Sequence, residues 1–247
     1  EGYQVIVLTS HYSPELPQKE QSWSLTIIRT GKGRLAFIFW GIWRGMQILR
    51  SFPSIRLIHA STYWGAIPAS LLGILSRKPV LLTVHEIFWK LRTRYKSRKT
   101  ARLYRLFERI IFQLPFAKYH CVSLYTLNAL RLVYGIPDKK LFLAYNGVDY
   151  EFWSREKVSK QESLAVQKKF WLIGKRNLLY FGHTGISKGI DTLVEAIPEL
   201  LEQDSELQLI FNLIPAQRDS FIKEKIQTFL ADLPPSQKGR VKIWNGL

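Results

Sequence analysis

A turn between a predicted strand and a predicted helix has the residue types of an anion-binding site. Its sequence, GHTGISKG over residues 182–189, follows an apolar run and precedes apolar residues that recur at helical spacing. Glycines let the backbone turn sharply, and the free N–H groups and macrodipole of a helix start attract negative charge together with the Lys188 ammonium. The residues predicted to bind a phosphate are Gly182, His183, Thr184, Gly185 and Lys188.

The spacing of this turn is compatible with two roles. A Walker loop requires Gly-Lys-Ser/Thr after four free positions, and a dinucleotide fingerprint requires Gly-x-Gly-x-x-Gly; residues 182–189 fit neither pattern. The alternative to a phosphate site is an ordinary strand-to-helix turn, in which the glycines supply positive φ and the lysine is solvated. Both interpretations stay open on spacing alone.

A second group of chemically useful residues follows a strand predicted over residues 79–84. His85 and Glu86 stand at its carboxyl end, which is where ligands bind in open α/β sheets. The alternative is a histidine that is hydrogen-bonded within its own loop. Local hydrogen bonds, with no spacing typical of metal ligands, are expected for His11, His59 and His120.

Composition places the chain among globular proteins. It has 247 residues, of which 47% are hydrophobic, so it is long enough to bury a sizeable core. Its one cysteine, Cys121, excludes a disulfide framework and a cysteine-based metal site. The longest apolar run, over residues 35–43, is much shorter than the roughly 20 residues that a membrane-spanning helix needs.

Predicted strands and helices alternate along the whole chain, which is typical of the α/β class with doubly wound, mostly parallel sheets. Residues 11–21 are predicted to form a polar loop and residues 25–29 a short edge strand. The apolar strand over residues 178–181 is expected to be covered on both faces. Strands are predicted over residues 3–9, 25–29, 56–60, 79–84, 119–122, 141–145, 178–181, 207–211 and 241–244. Helices are predicted over residues 35–50, 63–75, 125–134, 190–201 and 217–230, and from about residue 101.

A composition change divides these elements into two domains. Residues 151–175 are charged and poor in β-branched residues, which indicates a linker with one helix. We therefore predict an N-terminal domain over residues 1–150 and a C-terminal domain over residues 176–247. The second has three predicted strands, fewer than the roughly five or six of a complete sheet of this kind.

Four stretches of the sequence carry a family resemblance. They are LTVHE over residues 82–86, Val122-Ser123 with Thr126 following, YNGVD over residues 145–149 with Phe152 following, and YFG through KGID over residues 180–191. In this order and at these separations they resemble glycosyltransferase family 4, the group-1 glycosyltransferases. The resemblance implies the GT-B fold, which has two Rossmann-like domains with mostly parallel sheets, the second of them incomplete in this chain.

The resemblance also implies a reaction. The N-terminal domain would bind an acceptor and the C-terminal domain a nucleotide-sugar donor, with the anomeric configuration retained. Negative charge develops on the β-phosphate as the sugar departs, and a cationic group must meet it. Because the sequence has no Asp-x-Asp triplet, no metal is expected, and Lys188 with the amides of residues 182–185 is the expected substitute.

Further site residues follow from the resemblance. His85 matches a family histidine that contacts the transferring sugar, so His85 and Lys188 are the expected catalytic residues. His183 stands where the family usually has Arg, and a neutral imidazole supplies no permanent charge. Three outcomes stay open: weaker diphosphate binding, binding that is more sensitive to pH, or a parent enzyme that tolerates His at this position. Asn146-Gly147 is by itself a tight-turn signal. The residues expected to line the interdomain cleft are Glu86, Ser123, Asn146 and Gly147.

Family members have further segments on both sides of the matched region. They open with a strand, a glycine-rich loop and a helix, and they continue into a half-domain whose Glu-x7-Glu motif binds the donor. Because this chain starts at Glu1 and ends just past Trp244, we expect it to be a fragment that is inactive by itself.

The chain is strongly basic, and its charge is concentrated locally. It carries 36 Lys and Arg against 19 Asp and Glu, a formal net charge of +17. The segment from Lys90 to Arg109 holds nine of the basic residues and one acid, Glu108. This segment is compatible with a solvated face, with an anionic membrane surface that also contacts Phe88, Trp89 and Tyr95, and, least well, with nucleic acid.

These observations favour a cytoplasmic glycosyltransferase that lies on the inner face of a membrane. Its acceptor would be lipid-linked or a polysaccharide precursor, and its partners the nucleotide-sugar donor and an anionic membrane. Two other hypotheses remain open on the sequence. One is a basic α/β protein that binds nucleic acid or acidic lipid without chemistry, and the other is a catalytically silent transferase relative that acts as a partner subunit.

Overall fold

The computed structural model describes residues 2–88, 98–183, 188–214 and 220–245. The chain divides into two compact units, Glu1–Gly147 and Val148–Leu247. In both units strands alternate with helices, and all strand pairs but one are parallel among the described residues. The predicted α/β class with mostly parallel sheets is therefore confirmed.

In the first sheet of unit 1, the strands at the two edges are not the predicted ones. Strands β1 (Val5–Thr9), β2 (Lys19–Ser22) and β3 (Leu25–Arg29) pair in the order β1-β3-β2, with β2 antiparallel to β3. The predicted edge strand β3 is thus central, and the predicted polar loop contains a strand. The sequence KEQS of β2 has no apolar alternation to reveal it, because this edge strand is held by the ladder to β3 and by a 2.6 Å ion pair between Arg29 and Glu20.

The second sheet of unit 1 is wholly parallel and contains the larger core. Strands β4 (Ile58–Ser61), β5 (Val80–Val84), β6 (Lys118–Cys121) and β7 (Leu141–Leu143) pair in that order. Helices α1 (Gly33–Ser51) and α2 (Thr62–Ser76) pack on each other, and α3 (Arg98–Phe112) and α4 (Leu124–Leu132) follow β5 and β6. The strand side chains buried on the core face are Ala60, Val80, Leu82, Val84, Tyr119 and Cys121.

Helix α3 carries the described part of the basic segment and buries only one side. Ala101, Glu108, Ile111 and Phe112 are buried on that side. The apolar residues predicted to share one face of this helix do not all do so. Phe107 and Ile111 pack on the core, while Leu103, Leu106 and Ile110 are 55–67% exposed. Residues 89–97, with Lys90, Arg92, Arg94 and Lys96 of the basic segment, lie outside the described residues.

Unit 2 contains a three-stranded parallel sheet in its described part, in agreement with the three predicted strands. Strands β8 (Arg176–His183), β9 (Leu207–Ile214) and β10 (Val241–Asn245) pair in the order β10-β9-β8. Helix α6 (Ile190–Gln203) follows β8, and α7 (Ser220–Asp232) and α8 (Pro235–Lys238) follow β9. The core of the unit lies between the sheet and α6, around Val194, Leu209 and Phe211.

The prediction that residues 178–181 are covered on both faces is wrong. Leu179 is 60% exposed and Phe181 69% exposed, while Tyr180 packs on the core at 5.9 Å between its ring centroid and that of Phe211. Strand β8 is at the edge of the described sheet, and only its Tyr180 face meets the helices. A continuous apolar run signals that a strand can be buried, but not which element covers it.

The segment predicted to be a linker contains a helix, α5 (Lys160–Lys169), which starts at a capping box formed by Ser159 and Glu162. Its carboxyl end is attached to the sheet of unit 2, because Lys242 donates a 3.0 Å hydrogen bond to the Phe170 carbonyl and lies 5.2 Å from the Trp171 ring centroid. The domain bounds 1–150 and 176–247 remain predictions beside the observed division at Gly147.

The close packing of α2 on β5 gives a stability prediction. A Cβ atom on Gly73 would lie 2.2 Å from Val80 Cγ2 and 3.1 Å from the Lys78 carbonyl oxygen. Because Val80 is buried and stiff, we expect Gly73→Ala to reduce the free energy of unfolding by about 1–2 kcal/mol. A Cβ on Gly65, in the same helix, would meet nothing within 4 Å, so Gly65→Ala is the matched control, with an expected gain of roughly 0.5–1 kcal/mol. Urea unfolding measures the free energy of unfolding of both variants, and equal values for the two would contradict this packing.

Candidate functional site

The loop after β5 presents the predicted His85 and Glu86 to solvent at the carboxyl end of a central strand. Both residues are exposed, whereas the next residue, Ile87, is 2% exposed and belongs to the core. The loop therefore has a buried anchor directly behind its polar pair. A cavity of about 10 Å³ lies beside His85 and Glu86, which is room for at most one water molecule.

A buried carboxylate holds this loop in place. Glu108 of α3 is 1% exposed. Its Oε1 accepts a 2.9 Å hydrogen bond from the Phe88 backbone N–H and lies 2.6 Å from the Tyr63 hydroxyl, while its Oε2 accepts a 2.5 Å bond from the Tyr134 hydroxyl. The Tyr63 hydroxyl also lies 2.8 Å from the Glu86 carbonyl oxygen. These contacts join α2, α3, the loop after β5 and the segment after α4 around one negative charge.

Sequence analysis missed this role of Glu108, which it counted only as the single acid of a basic segment. The signal was its position: on the helix, Tyr104, Ile111 and Phe112 are its neighbours at spacings of three and four. An acid on the apolar face of a helix must find donors in the interior, since an unpaired buried carboxylate is very costly. The apolar neighbours of Glu108 therefore indicate that it is buried, but they do not identify its partners.

Three side chains on the other face of the same sheet form a hydrogen-bonded row. His59 Nε2 lies 2.6 Å from Thr83 Oγ1, which lies 3.0 Å from His120 Nδ1, and His120 Nε2 lies 2.8 Å from the Ala144 carbonyl oxygen. Because a carbonyl oxygen only accepts, neutral His120 carries its proton on Nε2, so the Thr83 hydroxyl donates to Nδ1 and His59 donates to Thr83. His11 hydrogen-bonds the Leu16 carbonyl at 2.8 Å, so its predicted local hydrogen bond is confirmed, whereas His59 and His120 bond to residues at least 24 positions away in sequence.

This row lies close to His85. Partial burial lowers the pKa of His59 below its usual value, and the imidazoles of His120 and His85 act in the same direction. A positive charge on His59 is therefore disfavoured. No group of three or more His, Cys, Asp or Glu side chains within residues 2–88, 98–183, 188–214 and 220–245 is arranged to hold a metal ion.

Ser123 has a structural role at the start of α4. Its hydroxyl accepts from the Thr126 backbone N–H at 3.2 Å, and the Thr126 hydroxyl lies 3.2 Å from the Ser123 backbone nitrogen, which completes a capping box. The cap accounts for the residue type without a ligand. A place for Ser123 in a ligand cleft remains a prediction.

Asn146 and Gly147 do not form the tight turn that their sequence suggests. They lie in an exposed segment without regular secondary structure, and Gly147 has no positive φ. A type I′ hairpin turn requires positive φ at both central residues. Gly147 is instead the last residue of unit 1, and the assignment of the pair to a cleft remains a prediction.

The predicted phosphate-binding turn joins β8 to α6 in unit 2. Gly182 has φ +152°, which an L side chain rarely adopts, and His183 is the exposed last residue of β8. Lys188 is exposed and directly precedes Gly189, the left-handed N-cap of α6 at φ +70°. Thr184 and Gly185 lie outside the described residues.

The start of α6 is favourable for an anion in one respect and unfavourable in another. Gly189 offers no side chain to the helix N–H groups, so no side-chain cap occupies them in the described part of the turn. One acid, Asp191, lies in the first turn and offsets part of the positive end of the helix. The Lys188 ammonium therefore matters to the balance of charge at this turn.

The fold and these sites define an α/β protein with two Rossmann-like units of the GT-B type. Residues 1–152 match the sequence profile described as Glycosyltransferase Family 4. This match spans more than half of the chain, which therefore belongs to glycosyltransferase family 4. None of the curated proteins matches the chain at a significant level.

Several solved structures have a similar fold. Anabaena Alr3699/HepE in complex with UDP-glucose is similar at a TM-score of 0.63 and 16% identity, over 82% of this chain and 51% of that one. Sucrose-phosphate synthase from Thermosynechococcus elongatus is similar at a TM-score of 0.69 and 18% identity, over 100% of this chain and 61% of that one. The chain thus spans between half and two thirds of the length of these proteins.

A third structure has the same kind of fold. It is the α,α-trehalose-phosphate synthase of Burkholderia xenovorans in complex with glucose-6-phosphate, similar at a TM-score of 0.62 and 11% identity over 98% of this chain and 74% of that one. These similarities confirm the predicted GT-B fold. The family match confirms the predicted resemblance.

The buried network of Glu108 gives a stability prediction. Glu108→Ala removes the acceptor of two tyrosine hydroxyls and one backbone N–H, so we expect the free energy of unfolding to fall by about 2–4 kcal/mol. Glu108→Gln keeps the shape and can still accept two of the hydrogen bonds, and we expect a loss of about 1 kcal/mol. Chemical unfolding followed by circular dichroism measures both variants. An alanine variant as stable as the wild type would show that the network does not hold the loop.

Proposed function

We propose that the protein transfers a sugar from a nucleotide-sugar donor to an acceptor, without a metal and with retention of configuration. Membership of glycosyltransferase family 4 supports sugar transfer, and the UDP-glucose complex of the similar Anabaena protein supports a nucleotide-sugar donor. Because this chain spans about half of that protein, the activity is proposed for the protein with its flanking sequence.

The connection from β8 to α6 carries the proposal. When the donor bond breaks, negative charge grows on the β-phosphate oxygens, and a cation placed there lowers the barrier. Lys188 stands immediately before the start of α6, after a strand end with a glycine in a conformation that other residues avoid. We assign the diphosphate to Lys188 and to backbone amides of this turn. His183 stands there in place of a residue with a permanent charge.

The loop after β5 supplies the second part of the proposed site. His85 is at the carboxyl end of a central parallel strand, and Glu108 fixes the backbone that follows it. A fixed loop keeps an imidazole in one position, which favours an oriented hydrogen bond to the transferring sugar. We therefore propose that His85 contacts the sugar and that Glu86, Ser123, Asn146 and Gly147 lie near the acceptor.

We also propose that the acceptor is presented at an anionic membrane surface on the cytoplasmic side. Helix α3 exposes Leu103, Leu106 and Ile110, and Lys99, Arg102 and Arg109 are exposed on the same helix. Apolar and basic residues on one amphipathic helix are typical of peripheral binding to anionic lipid. Within the described part of the chain, no helix is long and apolar enough to cross a bilayer.

The diphosphate assignment predicts a large effect of one substitution. In the protein expressed with its flanking sequence, we expect Lys188→Ala to lower kcat about a hundredfold, equivalent to roughly 3 kcal/mol of lost transition-state stabilisation. Lys168→Ala, which removes another lysine charge from the same unit in the last turn of α5, is the control and should leave kcat within a few-fold. A donor screen with purified nucleotide-sugars provides the assay. Turnover of Lys188→Ala within a few-fold of the wild type would exclude this lysine from the diphosphate site.

The membrane assignment predicts the loss of vesicle binding. Replacement of Leu103, Leu106 and Ile110 by Ser removes the exposed apolar stripe of α3, so binding to vesicles that contain phosphatidylglycerol should fall by at least about tenfold. Leu132→Ser is the control, because Leu132 is 78% exposed on a different helix. Co-sedimentation measures the bound fraction. Equal binding by the wild type and the triple variant would place the membrane contact elsewhere.

A further inference from the structure

Unit 1 contains a cavity of about 520 Å³ whose lining includes no residue of the predicted site. It lies at the carboxyl ends of β1 and β3 and beside the first turns of α1. The loops that follow the two strands are joined there by backbone hydrogen bonds, from Thr30 N to the Thr9 carbonyl at 2.9 Å and from His11 N to the Gly31 carbonyl at 2.9 Å. The cavity is therefore built on a fixed base at the ligand-binding end of a parallel strand pair.

The charges that line the cavity all have one sign. Lys19, Arg29, Lys32 and Arg44 border it, and no acidic side chain does. Arg29 has a structural role, since it pairs with Glu20 at 2.6 Å and donates to the Pro17 carbonyl at 2.8 Å. The other three have no ion-pair partner in the described residues. Three uncompensated cations beside one cavity favour a ligand with concentrated negative charge.

The start of α1 adds to this preference. Lys32 is the N-cap residue of this 19-residue helix, its side chain makes no capping hydrogen bond, and the first turn contains no acid. The positive end of the helix macrodipole therefore points to the same region as the three cations. Phosphate oxygens can accept hydrogen bonds from lysine, arginine and backbone N–H groups at the same time.

Part of the cavity lining is aromatic. Trp40 and Trp43 pack edge to face with ring centroids 5.6 Å apart, and they are 53% and 54% exposed. Exposed tryptophan rings beside a charged region offer a surface for the carbon skeleton of a ligand. The volume lies within the range of roughly 300–1,000 Å³ that small-molecule sites occupy, so a bare phosphate ion would leave most of it empty.

We propose that this cavity binds a phosphate ester, with its phosphate on Lys19, Lys32 and Arg44 and its organic part on Trp40 and Trp43. The organic part is a sugar or the glycerol of an anionic lipid, because both kinds of ligand carry their phosphate as an ester. This binding does not require sugar transfer, so it stands or falls separately from the proposed function.

Isothermal titration of this chain tests the proposal. The probes are glucose 6-phosphate, glucose, inorganic phosphate and vesicles of phosphatidic acid in phosphatidylcholine, at ligand concentrations up to about 10 mM so that weak binding is detected. We expect glucose 6-phosphate or the phosphatidic acid vesicles to bind, and glucose to bind far more weakly. Preference for the sugar phosphate identifies a soluble ligand, and preference for the vesicles identifies a lipid. Failure of both to bind overturns the proposal.

Variants locate the binding. Lys32→Gln should weaken binding of the preferred probe at least about tenfold. Lys139→Gln makes the same charge change at an exposed position of unit 1 outside the cavity and should have little effect. Trp40→Ala should weaken binding of the preferred probe more than that of inorganic phosphate. Equal effects of Lys32→Gln and Lys139→Gln would mean that binding reflects the general basic charge of the chain, which would overturn the proposal.

Discussion

The carboxylate of Glu108 is the constraint on which the organisation of unit 1 depends. It is buried, and it remains tolerable there because two tyrosine hydroxyls and the Phe88 backbone N–H converge on its two oxygens. The same network fixes the backbone behind His85. A single buried carboxylate thus links α2, α3 and the segment after α4 to the position of a residue at the ligand-binding end of the sheet.

The basic residues, unlike Glu108, lie mostly on the surface and in several separate places. Glu108 is the only acid of the basic segment, and it faces inward, so the outer side of α3 is left with arginine, lysine and exposed leucine. Other basic residues gather around the cavity beside α1, and Lys188 stands alone before α6. Part of the excess of basic residues behind the net charge of +17 therefore lies in separate places on the chain.

The alternation of strands and helices made the fold class and most elements predictable, because periodicity reports which side of an element is buried. Periodicity failed where the exposure of a strand depends on the elements beside it. Strand β2 is entirely polar, and β8 is apolar but only partly covered. The positions of His85 after a strand and of Lys188 before a helix were predictable, because both follow from local pattern, and their roles in a site stay predictions. The partners of Glu108 were not predictable, since Tyr63 and Tyr134 reach it from elements distant in sequence.

The central claim is that the β8–α6 turn and the loop after β5 both belong to the site of a nucleotide-sugar. Amide hydrogen exchange of the full-length protein, in the presence and absence of nucleoside diphosphates and their sugars, tests it directly. The account predicts slower exchange over residues 182–193 with a nucleoside diphosphate, and over residues 85–88 as well once the sugar is attached. Protection confined to other parts of the chain, with both segments unchanged while the ligand is bound, would contradict it.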